Sequence, residues 1–412
     1  MSTWEKLGDW FNRKPVVNAF ILASALFLLI FAVSAIATGG NTVMDMFVGE
    51  PDMYFSDYFY SVATSTPKPY TEEHIIYPPL VTCIYASLKH FIMPFVDEVP
   101  GQDLMFSIRD SEAGMISYMF LVIIGVVAAM LLMERYGKST EAKVLFLMFL
   151  FSYPFIHTVE RGNNMLFLLL LCMIFLLTYN SERRALRYVS YVALGFAVGV
   201  KIYPIFLTVL YLRERDYRGM LGGLMVVTLL FFVPFLFTDG DPMILLDNIR
   251  RHILGEDGQG GISFANTVVN VLSGLSSDVR AMLGYVLMVV MIVLMVIPII
   301  WDGEMRDWEA VTLVICMMMY GPGVAAWEYM TLIVAIPSMY LLRDQKELNP
   351  IVLAILLSFV LVLAPFPAVD GITGDIRAFK QFVLVVPMFL LVATCIHRMI
   401  RNRSCQKPGT VE

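Results

Sequence analysis

Long apolar stretches recur along the sequence, and they constrain the fold more than any other feature. The first covers residues 16–38 and the last 379–396, and several approach the roughly 20 apolar residues that a helix needs to cross about 30 Å of hydrocarbon. Only 16% of the 412 residues are charged and 58% are apolar, whereas a soluble domain carries about 25% charged residues. Lipid is therefore the solvent for most of the chain. Spanning helices are expected, because lipid cannot satisfy the open edge of a strand.

The apolar pattern predicts an all-α polytopic membrane protein with about 12 transmembrane helices. The first stretch is too long for the apolar core of a signal peptide, so we expect a retained helix. The predicted spans are 16–38, 112–133, 143–158, 163–180, 187–201, 203–213, 219–238, 281–301, 308–322, 327–342, 350–368 and 379–397. The two short spans at 187–213 are also compatible with a re-entrant hairpin.

The placement of residues 78–95 fixes the predicted orientation. This segment is apolar, but Lys89, His90 and Pro94 interrupt it. If it lies on the outer surface, most of the 29 lysines and arginines fall on the inner side together with both termini, as the positive-inside rule requires. We therefore expect a single transmembrane domain over residues 1–403 with outer loops at 39–111 and 239–280. A disordered tail is expected at 404–412.

The first outer loop contains the acid that is best suited to catalysis. The segment YFSDYFYSVA predicts a short juxtamembrane helix that holds Asp57 among aromatic residues. Partial desolvation raises the pKa of a carboxyl group, which makes such an acid a reasonable general base. The alternative is that Asp57, like Asp45 and Asp52 in the same loop, is a solvated loop acid.

Two polar groups at the outer ends of helices are candidates for binding. The segment HTVERGNN places Glu160, Arg161, Asn163 and Asn164 in a short turn between two apolar helices. Polar clusters near bilayer depth usually line a cavity or pair with each other. Lys201 in GFAVGVKIYP follows an apolar helix and offers a point charge for a phosphate. The alternatives are a Glu160–Arg161 cap on a hairpin and a lysine that snorkels to the interface.

Further candidates lie in the remaining outer segments. Pro78 and Pro79 follow Tyr77 and fix a rigid elbow, or they simply start a helix. The second long loop carries Asn266 after a glycine-rich stretch that is suited to a lid. The segment GPGVAAWEYM places Trp327, Glu328 and Tyr329 at the mouth of a helix, where aromatic rings can stack on a sugar or anchor the interface.

Several kinds of chemistry are not expected. The five cysteines are scattered and form no CxxC pair, so neither a disulfide framework nor a metal site is predicted. The sequence has no P-loop, no GxGxxG after a strand and no HExxH. Soluble nucleotide chemistry is therefore not expected.

Taken in order, these segments resemble glycosyltransferase family 87 of the GT-C superfamily, the polyprenyl-phosphate-sugar-dependent mannosyltransferases. The resemblance rests on SDYFYSVA, YPPL, RGNN, KIYP, SFANTVVNVLSGL and WEY, which together extend over residues 57–329. It implies a GT-C-like helical bundle with juxtamembrane helices in the long first outer loop. It also implies transfer of a sugar, most commonly mannose, from a polyprenyl-phosphate donor to an acceptor hydroxyl, with inversion and on the outer face of the cell membrane.

The resemblance also implies roles for individual residues. Asp57 would be the general base, while Lys201 and Arg161 would face the donor phosphate. An inverting reaction needs a single base, so no metal or other cofactor is expected. The partners would be the donor lipid and a lipid or glycan acceptor, with no nucleic acid. The residues expected to line the pocket are Tyr58, Tyr77, Glu160, Asn163, Asn164, Tyr203, Asn266, Trp327, Glu328 and Tyr329.

Two other functions share parts of this pattern. A transporter or flippase of lipid-linked sugars would also have many spans, interrupted helices and buried charge, but such folds usually show internal repeats. No repeat is evident in this sequence. A polysaccharide polymerase would use a similar donor lipid and would concentrate arginines in one large outer loop. Arg250 and Arg251 are a small group of that kind.

Overall fold

The computed structural model of the chain describes residues 14–47, 53–65, 77–97, 103–137, 140–238, 240–254, 276–320, 328–365 and 376–405. Helices make up 85% of this structure, and these ranges contain no strand. The predicted all-α class is confirmed. A helix pairs its backbone groups internally, which is what an apolar environment demands.

The described ranges contain a series of helices. They are α1 Pro15–Ala37, α2 Asn41–Phe47, α3 Ser56–Thr64, α4 Pro79–Ile92, α5 Leu104–Asp110, α6 Glu112–Gly137, α7 Thr140–Leu150, α8 Tyr153–Arg161, α9 Met165–Thr178, α10 Arg184–Val200, α11 Val209–Arg213, α12 Tyr217–Phe232, α13 Pro242–Leu254, α14 Ser277–Trp301, α15 Asp307–Tyr320, α16 Ala335–Asp344, α17 Pro350–Leu363 and α18 Ile376–Cys405. Short 3₁₀ segments occur at Met93–Phe95, Tyr203–Thr208, Val233–Leu236 and Glu328–Val334.

Five of the described helical segments are long and apolar enough to cross a membrane. They are Pro15–Ala37, Glu112–Arg135, Tyr217–Leu236, Met282–Trp301 and Val383–Asn402. The pair Lys143–Leu150 and Tyr153–Arg161, bent by 49°, would make a sixth. The predicted count of about 12 spans is not confirmed. Helices such as α9 and α17 have 14 residues each. At 1.5 Å per residue each is about 21 Å long, which is shorter than the roughly 30 Å of hydrocarbon.

A large apolar core holds the bundle together around α15. Leu313, Val314, Met317 and Met318 of this helix have no exposed surface, and α15 packs against α14, α16 and α18. Helices α10 and α12 approach closely where Gly195 faces α12. A Cβ at Gly195 would lie 2.8 Å from Leu230 Cδ1. A small residue at this point permits the close contact.

The described helices between residues 56 and 118 pack around an apolar core of their own. Helices α3, α4, α5 and the start of α6 share a second apolar core built on Tyr58, Phe59, Val62, Ile108 and Tyr118. Prolines begin α4, where their missing N–H has no cost. At 14 residues α4 is too short to span the hydrocarbon.

A group of charged side chains lies where α14, α15 and α18 meet, and we call it the ionic cluster: Asp302, Arg306, Glu309 and Arg398. The Glu309 side chain is 1% exposed. Its carboxylate accepts hydrogen bonds from Arg306 Nη2 at 2.7 Å and from Arg398 Nη2 at 2.9 Å. Arg398 also pairs with Asp302 at 2.9 Å. These contacts fasten three helices to each other.

Candidate functional site

Asp57 lies in the first turn of α3, and the residue before that helix is docked on the end of α8. The Phe55 N–H donates to the Glu160 carbonyl at 2.7 Å. Phe55 itself has a φ of +58°, a left-handed conformation that is uncommon for a residue with a side chain. Strain of this kind clusters at functional sites. The start of α3 is therefore held in one place by backbone contacts.

Gly162 makes that docking possible. It ends α8 with a φ of +70°, a conformation that glycine adopts without steric cost. A Cβ at this position would lie 2.8 Å from the Phe55 carbonyl oxygen. The glycine of the RGNN segment thus lets the chain before Asp57 approach the turn between α8 and α9.

The Asp57 carboxylate meets two side chains of the RGNN segment. Asn163 Nδ2 donates to Oδ2 at 2.6 Å, and Arg161 Nη2 donates to Oδ1 at 3.4 Å. More than a hundred residues separate these groups along the chain. The predicted base and the predicted polar turn therefore belong to one site. Arg161, which was expected to face a phosphate, is paired with Asp57 in this structure.

Asn163 and Asn164 are adjacent at the start of α9, but their side chains differ in hydrogen bonding. Asn163 Oδ1 accepts the Met165 N–H at 3.2 Å and so caps α9. Asn164 makes no capping hydrogen bond. Neither polar atom of its amide is hydrogen-bonded to any residue in the described ranges. The Asn164 side chain interacts with the Tyr85 hydroxyl closely enough to lower the pKa of that phenol, but the contact falls outside ordinary hydrogen-bond limits. Leaving a buried polar group unsatisfied typically costs about 1–3 kcal/mol.

Lys201 follows the last residue of α10, where the backbone becomes extended. Its ammonium lies 5.0 Å from the centre of the Tyr77 ring and 5.7 Å from that of Tyr329. Both distances are typical of cation–π contacts. No carboxylate among the described residues forms an ion pair with it, although the charge of Asp57 acts on it. The ammonium is thus held by aromatic faces rather than neutralised by an acid.

The phenols around Asp57 do not compete with it as bases. Burial raises the pKa of Tyr77 well above its usual value, and the negative charge of Asp57 adds to the shift. The same two causes raise the pKa of Tyr85. Both phenols stay protonated at physiological pH, because their pKa values begin near 10 and are raised further. These two phenols are therefore not candidates for the base.

Tyr58 and Tyr203, both expected in the pocket, pack into cores. Tyr58 is 3% exposed, and its hydroxyl lies 3.0 Å from Ser117 Oγ. The Tyr203 hydroxyl donates to Met165 Sδ at 2.9 Å. These contacts support the walls of the site, and the structure gives neither side chain an evident binding surface of its own.

Sequence reasoning missed His157 as a site residue and placed it only at the end of a span. His157 Nδ1 lies 2.9 Å from Glu160 Oε2. The imidazole stacks on Tyr153 and on Tyr329, with ring centroids 5.6 and 6.2 Å apart. Residues 157, 160 and 161 share one face of α8, since positions three and four apart are neighbours on a helix. The HxxER spacing was the feature that could have revealed this face.

Three of the expected site residues lie wholly or partly outside the described residues. Asn266 and Trp327 lie outside the described residues. Glu328 begins a 3₁₀ segment, and its side chain also lies outside them. Within the ranges that are described, no group of three or more His, Cys, Asp or Glu residues could hold a metal ion.

The chain matches the sequence model of a known family. The sequence model of glycosyltransferase family 87 matches residues 76–322, which is more than half of the chain. The matched range contains Tyr77, Arg161, Asn163 and Lys201, while Asp57 and Tyr329 lie on either side of it. No curated protein and no solved structure is significantly similar to the chain.

Proposed function

Because the chain belongs to glycosyltransferase family 87, we propose that it transfers mannose from a polyprenyl-phosphate donor to an acceptor hydroxyl with inversion. The chain is a membrane glycosyltransferase, with several helices long enough to span a bilayer. The sugar, the donor lipid and the stereochemistry are the proposed part. The site would open at the outer face of the cell membrane, with both termini in the cytoplasm.

The contact between Asn163 and Asp57 is the observation that carries this proposal. At 2.6 Å, the amide fixes one carboxylate oxygen and leaves the other beside Arg161. A general base must be oriented before its pKa matters. Asp57 is oriented by a turn in which Gly162 admits the chain before Asp57 and Asn163 binds its carboxylate. An acid that was merely solvated would have no need of it.

The proposed reaction forms one bond and breaks one bond at the anomeric carbon. Asp57 takes the proton of the acceptor hydroxyl as its oxygen attacks. The bond between the anomeric carbon and the phosphate oxygen breaks, and its electron pair leaves on the polyprenyl phosphate. The products are the inverted glycoside, polyprenyl phosphate and protonated Asp57. No metal or other cofactor enters this step.

Lys201 suits the leaving group in this proposal. Negative charge grows on the phosphate as the bond breaks, and a fixed positive charge lowers the energy of that state. The aromatic faces of Tyr77 and Tyr329 hold the ammonium in place without neutralising it. Arg161 would add charge from the side of Asp57. Asn266, Trp327 and Glu328 remain proposed contacts to the sugar.

The experiment that tests the reaction class uses purified protein in lipid vesicles. Radiolabelled mannose is supplied either as synthetic polyprenyl-phosphate-mannose or as a nucleotide-linked sugar, with a membrane lipid extract as acceptor. We expect product from the lipid donor alone, with an inverted linkage by NMR. Product from the nucleotide sugar alone would contradict the donor assignment. Movement of the lipid donor between leaflets without product would instead support a flippase.

A further inference from the structure

Asn164 has a buried side-chain amide that interacts with the Tyr85 hydroxyl without forming a full hydrogen bond. It is 8% exposed, and its amide makes no hydrogen bond within the described part of the chain. An asparagine at the start of a helix usually accepts a backbone N–H of the first turn. That bond is made by Asn163 instead. The ordinary structural explanation for an asparagine here therefore does not apply to Asn164.

The unused amide lies beside the base. Its chain neighbour Asn163 donates to Asp57. The side chains of Asn164 and of Ser61, which lies one helical turn after Asp57, both interact with the Tyr85 hydroxyl, and burial and the charge of Asp57 raise the pKa of Tyr85. The amide, the phenol and the carboxylate therefore share one part of the site. A molecule whose hydroxyl reaches Asp57 would bring its adjacent groups to Asn164.

We infer that the carboxamide of Asn164 is a specificity-determining group that binds a second acceptor hydroxyl, next to the one that Asp57 deprotonates. The inference rests on the proposed function and assigns this residue to the acceptor. A carboxamide offers both donors and an acceptor, and a hydroxyl does the same, so the two can pair reciprocally. A neutral amide suits a neutral hydroxyl, whereas the phosphate has Lys201.

This arrangement selects against acceptors with one isolated hydroxyl. Such a molecule would use its hydroxyl at Asp57 and leave the amide unpaired. A site built to hydrogen-bond a hydroxyl discriminates strongly against an analogue that lacks it, because the buried polar group is then unsatisfied. Asn164 would thus favour acceptors with neighbouring hydroxyls over a serine or threonine side chain.

The test combines a variant that lacks the Asn164 carboxamide with acceptor analogues that each lack one hydroxyl. Octyl mannoside and its monodeoxy analogues serve as acceptors, with synthetic polyprenyl-phosphate-mannose as donor. We expect Asn164→Ala to lose about tenfold or more in kcat/KM on octyl mannoside. With one of the monodeoxy analogues, kcat/KM of the wild type should fall by a similar factor. The same analogue should not lower kcat/KM of Asn164→Ala any further. Asn349→Ala is the control, since Asn349 also begins a helix and caps Val352 but lies on α17.

Two results would overturn the inference. One is an unchanged kcat/KM in Asn164→Ala, and the other is an equal loss by wild type and variant on every analogue. If the wild type makes no product, the proposed function fails, and binding still decides the inference. Calorimetry in nanodiscs should then show weaker binding of octyl mannoside by Asn164→Ala than by wild type. Equal affinities would overturn it.

Discussion

The protein holds buried charge in two places, and the two places are built differently. Each carboxylate oxygen of Glu309 in the ionic cluster accepts hydrogen bonds from arginine groups. The described partners of Asp57 are one short contact to Asn163 and one long contact to Arg161. The first carboxylate has no capacity left for a substrate, whereas the second keeps an oxygen that is only weakly engaged.

The positive charges differ in the same way. Arg398 and Arg306 are paired with acids, while Lys201 lies against two phenol rings. Residues Tyr203–Arg213 lead from Lys201 to Arg213, a rise of about 20 Å, and Arg213 pairs with Asp307 at 2.8 Å. The two regions therefore lie at opposite ends of the bundle. The charged groups of the ionic cluster are fully paired and hold helices together. The charges of Asp57 and Lys201 are less fully paired and are available to a substrate.

The largest effect should come from removing a carboxylate of the ionic cluster. Glu309→Ala removes the carboxylate that Arg306 and Arg398 share, and removing one side of a buried ion pair costs about 3–5 kcal/mol. We expect that loss in the free energy of unfolding, measured by denaturation in detergent. Glu304→Ala is the control, because Glu304 is 54% exposed and lies 3.9 Å from Arg401. Equal stability of the two variants would contradict a structural role for the cluster.

The next largest effect should come from removing the charge of Lys201, which forms no ion pair with a described residue. Lys201→Met keeps an apolar stem between Tyr77 and Tyr329 but removes the charge proposed to meet the phosphate. We expect the donor KM to rise about 10- to 100-fold, since a hydrogen bond to a charged group contributes about 1.5–3 kcal/mol. Thermal stability should not fall, because no acid loses its partner. Lys143→Met, at an exposed position, should leave the donor KM unchanged.

A smaller effect is expected from Gly162→Ala, which disturbs the docking of Asp57. The left-handed conformation costs a residue with a side chain about 1–2 kcal/mol, and the new Cβ would meet the Phe55 carbonyl. We expect kcat to fall about tenfold with little change in the donor KM. Gly303→Ala is a matched control, since nothing lies within 4 Å of its Cβ position. Equal kcat values for the two variants would show that catalysis by Asp57 does not depend on the Gly162 turn.

The smallest effect should come from His157→Phe. Phenylalanine preserves the ring stack on Tyr153 and Tyr329 and loses the contact to Glu160. The net contribution of one hydrogen bond is about 0.5–1.5 kcal/mol, so we expect a loss of activity of only a few-fold. His90→Phe at an exposed position provides the comparison. A loss as large as that in Lys201→Met would mean that His157 contacts the substrate directly.

Sequence reasoning identified the ingredients of the site better than their arrangement. Asp57 and the RGNN segment were each recognisable because charge among apolar residues needs a reason. That Arg161 and Asn163 meet Asp57 depends on the left-handed Phe55 and on Gly162, and no periodicity reports such backbone detail. The ionic cluster was not predicted, since Glu309 and Arg398 are far apart in sequence and each resembles an ordinary charge at a helix end.

The helix count shows the same limit. Apolar length identified most of the described helices but could not say where they bend or stop. Residues 143–158 were predicted as one span, yet Ser152 and Pro154 divide them into α7 and α8. Residues 203–213 begin as a 3₁₀ segment. Proline and capping side chains act locally, whereas the length rule averages over about 20 residues.

The most direct test of this account is a single-turnover measurement on Asp57→Asn with donor already bound. The substitution keeps the shape of the side chain and removes its ability to take a proton. The account predicts a folded protein, a donor Kd near that of the wild type, and a transfer rate lower by about 10²- to 10⁴-fold. Transfer at the wild-type rate would contradict the assignment of Asp57 as the base.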